Sequence, residues 1–139
     1  MPRSLAILLS VTDVSFLLYW VLAGLSLSGV IQLPAEWMYA HYERADVVAW
    51  NWSFFPMDVA FSVCGLLAVR FASRGDARWV PFALVSLTLT MAAGLMAVSY
   101  WVLMCEFDPA WFLSNALLVI WPLYFFPRLI RSGAATAVV

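Results

Sequence analysis

The sequence predicts an all-α integral membrane protein, a four-helix up-down-up-down bundle with both termini in the cytoplasm. Three observations predict it. Of 139 residues, 65% are hydrophobic and 11% charged, with a mean hydropathy of +0.94, too little polarity to cover a soluble core. Four apolar runs, each near the ~20 residues that cross a hydrocarbon layer, use up almost the whole chain. Six of the seven basic residues, all of them arginine, fall on one side of such a bundle. Residues 1–139 therefore read as a single transmembrane domain in the cell membrane, with lipids as its first partner.

The first span covers about residues 5–30. Its start could pass for a signal peptide, but Asp13 interrupts the apolar stretch and no clear A-x-A site follows, so it is expected to remain as a helix. A polar connection follows, with Glu36, His41, Glu43, Arg44 and Asp46 among interfacial aromatics. The second span covers about 48–70, with Pro56 as a kink or an N-terminal break. Turn formers from Ser73 to Asp76 separate it from the third, about 79–104, which tolerates Pro81 in its first turn. The fourth, about 110–126, is expected to end at Pro127, leaving Ser132 to Val139 frayed. Arg3, Arg70, Arg74, Arg78, Arg128 and Arg131 then lie at the cytoplasmic side and only Arg44 outside, where Glu36, Glu43, Asp46, Glu106 and Asp108 make an acidic mouth. Cys64 and Cys105 fall in different halves of the membrane, so no intrachain disulfide is expected.

Asp13 and Asp58 are the residues most able to carry chemistry. A carboxyl within a span costs several kcal/mol and by default marks a functional site. Counted from Arg3 and Arg70 at 1.5 Å per residue, they lie ~15 and ~18 Å from the cytoplasmic edge, so they are expected to share one site between the first two spans. Helical phase draws a polar stripe on each span: Asp13 with Ser10 and Trp20; Asn51, Phe55, Asp58, Ser62 and Gly65; Ser86 and Thr90 with Ala93; Ser114 and Asn115 with Trp111. Trp20, Asn51, Trp52, Phe55, Ser62, Thr90, Asn115 and Trp121 are the candidate ligand contacts around a catalytic or binding pair, Asp58 and Asp13. The competing reading makes these residues packing glue, with protonated Asp13 hydrogen-bonded to Thr90 or Asn115. His41 with scattered outer carboxylates is a weak metal signal, and a solvated loop is the better reading. No cofactor motif, nucleophile–base pair, phosphate loop or nucleic-acid-binding basic run is present.

The segment Ala49-Trp50-Asn51-Trp52-Ser53-Phe54-Phe55-Pro56-Met57-Asp58 resembles the YvaD-like small bacterial membrane proteins. So do Thr12-Asp13, Leu18-Tyr19-Trp20 and the closing Trp121-Pro122-Leu123-Tyr124-Phe125-Phe126-Pro127. This resemblance spans nearly the whole chain and implies no activity. In architecture the chain is also similar to the sterol isomerase and sigma-2 receptor superfamily: an acid in the second span (Asp58), a short basic loop (Arg70 to Arg78), and a proline opening the third (Pro81). That similarity implies a lipophilic, often cationic ligand held between the helices. The acid is aspartate rather than glutamate and no span holds a histidine, so sterol isomerisation itself is not implied.

The leading expectation is a membrane-embedded pocket for a small lipophilic molecule, with acid–base chemistry of an isomerase or cyclase type if it is an enzyme. The alternatives are a proton-coupled exporter, which at this size would work as a homodimer, and a non-catalytic membrane subunit.

Overall fold

The computed structural model describes residues 1–34, 37–39, 41–105 and 107–136, with side chains as far as Arg131. Five helices follow in order: α1 Arg3–Leu27, α2 Ala45–Ser53, α3 Phe55–Ser73, α4 Trp79–Leu103 and α5 Pro109–Thr136. The helices α1, α2 with α3, α4, and α5 as far as Arg131 make four segments long and apolar enough to cross a membrane.

The break between α2 and α3 falls at Phe54, two residues before Pro56. Proline lacks an N–H and fits the first turn of a helix, so α3 restarts around it and the second span is two helices in one. Proline acts differently in α5, which runs through Pro122 and Pro127 to Thr136 and does not end at residue 126. Each ring removes one backbone bond, but its fixed φ is helical, so the rest of the hydrogen-bond ladder carries the helix through. Ser132 to Thr136 are helical, contrary to the expected fraying.

Packing runs as a chain of neighbours, α1 on α3, α3 on α4 and α4 on α5, with few contacts from α2 to α3. At the end holding the N-terminus and the α3–α4 turn, Leu5, Leu9, Ala68, Ala83, Leu87, Phe125 and Leu129 form one core. At the opposite end Trp20, Phe54, Phe61, Ala93 and Ala97 form a second. The buried faces also hold Asp13, Ser62, Ser86 and Thr90, whereas Ile7, Val11, Val14, Leu18 and Val21 line the outer face of α1. Several buried polar groups beneath an aliphatic outer face are unlike a water-soluble bundle and suit an apolar solvent.

Small residues let the backbones meet. A Cβ added at Gly94 would lie 2.6 Å from the Asn115 carbonyl oxygen and 2.9 Å from Leu118 Cβ, so α4 and α5 touch at that glycine. The α3–α4 turn is tied by Asp76, whose carboxylate accepts bonds from the Arg78 backbone N–H at 2.9 Å and from its guanidinium at 2.6 Å. The side-chain bonds from Arg78 hold the Asp76 carboxyl below the usual carboxylate range, so the tie is complete at neutral pH and is lost as acid protonates it. Cys64 and Cys105 are free thiols.

Candidate functional site

Asp58 sits in the first turn of α3, just beyond the break, 3% exposed. Trp20 of α1 reaches across and donates its indole N–H to Asp58 Oδ2 at 3.0 Å. The other oxygen, Oδ1, is buried and has no hydrogen-bond partner. A carboxylate accepts several hydrogen bonds, so one donor leaves most of its capacity unused.

This carboxyl lines a cavity of about 280 Å³. Every helix contributes: Ser15, Phe16, Tyr19 and Trp20 from α1; Trp50 and Asn51 from α2; Asp58 from α3; Ala93, Ala97 and Trp101 from α4; Trp111, Ser114, Asn115 and Leu118 from α5. Phe54, at the break, and Tyr39 complete the wall. The wall is mostly aromatic ring, braced by stacking of Trp50 on Tyr100 at 4.0 Å between centroids and by an edge contact of Trp50 with Trp101. Such faces carry partial negative charge and attract cations. The cavity exists because α1 and α5 flank α3 and α4 without packing closely on each other, while the shared core at the opposite end closes its base.

Tyr19 donates its hydroxyl to Asn51 Oδ1 at 3.0 Å, joining α1 to α2. A second cavity, of about 340 Å³, lies beyond this bond, between the end of α1, the following connection and α2. Tyr19, Tyr39 and Asn51 line both spaces. These three residues thus stand between the chamber at Asp58 and the second cavity, a vestibule beside it.

The single site expected for both carboxyls divides into two levels. Asp13 is buried and does not line the chamber; its carboxyl packs on Gly65, seven residues and ~10 Å along α3 from Asp58. The count from Arg70 understated the offset because α3 continues to Ser73, three residues further, which sets Asp58 ~4.5 Å farther from the helix end than the count assumed. Nor does Asp13 bond to Thr90 or Asn115: Thr90 donates to the Ser86 carbonyl at 2.9 Å and Asn115 to the Trp111 carbonyl at 2.8 Å.

Of the other candidate contacts, Trp20, Asn51 and Asn115 line the chamber. Trp52 lines the vestibule and packs on Trp20 at 5.1 Å. Phe55 is 39% exposed, with its ring against Trp20, so it braces the donor of the Asp58 bond from outside. Ser62 is fully buried one turn past Asp58, and its hydroxyl has no partner. Trp121 packs against the core at the other end, remote from the chamber. Tyr19, Trp50, Trp101 and Trp111 take the places that sequence reasoning did not fill. The helical phase of Trp111 already places it on the stripe of its span; for the other three, only the fold shows that the rings turn inward.

At the acidic end, Arg44 pairs with Asp46 at 2.6 Å. Asp108 accepts the backbone N–H groups of Ala110 and Trp111 at 2.9 and 3.2 Å, which makes it the cap of α5. Glu36 and Glu106 lie outside the described residues. His41 occupies a turn at φ 56°, and among the described residues no three His, Cys, Asp or Glu side chains gather to hold a metal ion.

Residues 5–136 match a family of unknown function, DUF5360. The chain belongs to that family. It is 40% identical over 134 residues to the uncharacterized protein YvaD of Bacillus subtilis (strain 168), covering 96% of this chain and 97% of that one. The resemblance to YvaD-like proteins read from the sequence is thereby shown. No solved structure matches.

Proposed function

We propose that this DUF5360 protein is a four-span membrane protein of the cell membrane whose chamber binds a small lipophilic cation, paired with Asp58. One observation carries the reading: a buried carboxyl with an unpartnered oxygen, fixed by an indole N–H, in an aromatic-walled cavity. Neutral apolar ligands would gain nothing from that carboxyl, whereas an ammonium gains an ion pair and ring faces together. About 280 Å³ suits a ligand smaller than a typical drug. Saturable quenching of tryptophan emission by benzyltrimethylammonium, with its uncharged carbon isostere at least tenfold weaker, is the expected result. Equal affinity for the two would remove the role of charge.

The same unpartnered oxygen favours a second reading, proton transfer to or from an alkene. Protonated Asp58 would be the acid, and the rings would stabilise the developing cation.

The orientation we propose puts the N-terminus, the α3–α4 turn and the C-terminus in the cytoplasm, following the arginines. Ala45→Cys should be labelled by an impermeant thiol reagent only from outside, and labelling from the cytoplasm alone would reverse the topology. Replacing Arg70, Arg74 and Arg78 together should disturb insertion rather than ligand affinity, since each contributes ~1 kcal/mol at an anionic leaflet.

On this reading the ligand passes from vestibule to chamber through the Tyr19–Asn51 partition. Tyr19→Phe removes that hydrogen bond and keeps the ring. Association and dissociation of benzyltrimethylammonium should both quicken several-fold in stopped-flow quenching, with Kd changed less than threefold, on the order of one weak hydrogen bond. Unchanged rates would place the route elsewhere, between α1 and α5.

A further inference from the structure

Asp13 is unused by the chamber. It is 1% exposed, and neither carboxyl oxygen has a hydrogen-bond partner. Ser86 of α4 is fully buried, and its hydroxyl is unpartnered too. The two side chains meet over Gly65 of α3: a Cβ there would collide with the Asp13 carboxyl and lie 2.8 Å from Ser86 Oγ. One turn away on the same face of α3, the Ser62 hydroxyl is also buried without a partner. Two helices thus bring unsatisfied oxygens together over a third, which adds another one turn away, all buried from bulk solvent. Leaving such groups uncompensated in an apolar interior costs several kcal/mol.

We propose that Asp13 and Ser86, over Gly65 and with Ser62 adjoining, form a second binding site, for a small monovalent cation. The donor set is oxygen only, which suits a hard ion. It carries one carboxylate, so a single positive charge neutralises it, whereas a divalent ion would leave an uncompensated charge among the helices. The Asp13 carboxyl itself takes up the room that the missing Gly65 side chain leaves, so nothing larger than a bare ion fits beside it. A proton on Asp13 and a sodium ion share this chemistry. Cys64, next to Gly65 on α3, is the titratable side chain adjoining the site in sequence; Ser86 and Thr90, the polar side chains on the buried face of α4, are uncharged. Because Asp13 clamps α1 to α3, filling this site stabilises the wall of the chamber without touching its ligand.

The test is thermal unfolding of the full chain in lipid nanodiscs, at fixed ionic strength. Sodium chloride is exchanged for N-methylglucamine chloride, and pH is varied from 5 to 9. If sodium is the ligand, each tenfold rise above half-saturation should raise Tm by roughly 3–6 °C in the wild type and not at all in Asp13→Asn. If the ligand is a proton, sodium should have no effect; the wild-type Tm should fall as pH rises, and Asp13→Asn should lose the part of that fall that Asp13 contributes. Asp58→Asn should retain the sodium response or, in the proton case, the Asp13 share of the pH response. Ser86→Ala, which keeps the carboxyl, should weaken the sodium response about tenfold or shift the pH profile, and it serves if Asp13→Asn does not fold. Identical sodium and pH responses in the wild type, Asp13→Asn and Ser86→Ala would overturn the proposal.

Discussion

Asp58→Asn should abolish high-affinity binding of a lipophilic cation while leaving the bundle folded. Asparagine has nearly the same shape, and its carbonyl oxygen can accept the Trp20 indole N–H that now bonds Oδ2 at 3.0 Å. What disappears is the charge. Losing one member of a buried ion pair costs about 2–4 kcal/mol, roughly a thirty- to thousandfold rise in Kd. Binding of the uncharged isostere should hardly change, because the aromatic walls are intact. Trp20→Phe separates the two contributions of that residue: the ring remains and the N–H is lost. Its effect should be nearer ~1 kcal/mol, the value of one hydrogen bond. Tryptophan-emission titrations of the wild type and both variants, with circular dichroism to confirm helicity, provide the check. Equal affinities for wild type and Asp58→Asn would leave Asp58 as a packing residue.

The second large effect is expected at a helix crossing. Gly94→Ala places a methyl 2.6 Å from a backbone carbonyl oxygen of α5 and 3.1 Å from Val119 Cγ2. A side chain could rotate away, but the Asn115 carbonyl belongs to a helix and cannot. The helices must separate, at a cost of about 1–3 kcal/mol for forced overpacking. Melting in lipid nanodiscs should fall by on the order of 10 °C. Asn115 and Leu118 both flank that contact and line the chamber, so ligand affinity should fall with stability. Gly24→Ala is the control: nothing lies within 4 Å of its added Cβ, and alanine is the better helix former. Its Tm should stay within about 2 °C of wild type or rise slightly. A similar large loss in both variants would mean that the α4–α5 crossing is not at Gly94.

The pattern of these sites shows what the sequence makes legible. Span number follows from hydropathy because an apolar solvent demands long uninterrupted helices. Asp13 and Asp58 stand out because carboxyls are rare and expensive in such runs. The break at Pro56 is readable from the chemistry of proline alone. The end of α5 is not, since the same chemistry also permits a helix to pass through Pro122 and Pro127 when nothing competes for its backbone. Depth was misread for a related reason: Arg70 marks a charge, not a helix end, and α3 continues to Ser73. Pairing across helices was the hardest to read. Trp20 meets Asp58 and Asp13 meets Gly65 because α1 and α3 run antiparallel in one register. That register is set by side chains interlocking over the whole interface, and no local pattern carries it. The aromatic chamber was hidden for the same reason, since a tryptophan near a helix end looks alike whether it faces lipid or a cavity.

The claim that Asp58 pairs with a cationic ligand is tested most directly by titration calorimetry of benzyltrimethylammonium, a cation whose own charge does not change with pH. Repeating the titration in buffers of different ionisation enthalpy, from pH 5 to 9, counts the protons exchanged. On this account the cation takes the place of a proton at Asp58. Binding should then release about one proton, and affinity should rise with pH until the free carboxyl ionises. Asp58→Asn should release none and show a flat profile. Proton release near zero in the wild type, with an affinity that is the same at every pH and in Asp58→Asn, would contradict the account.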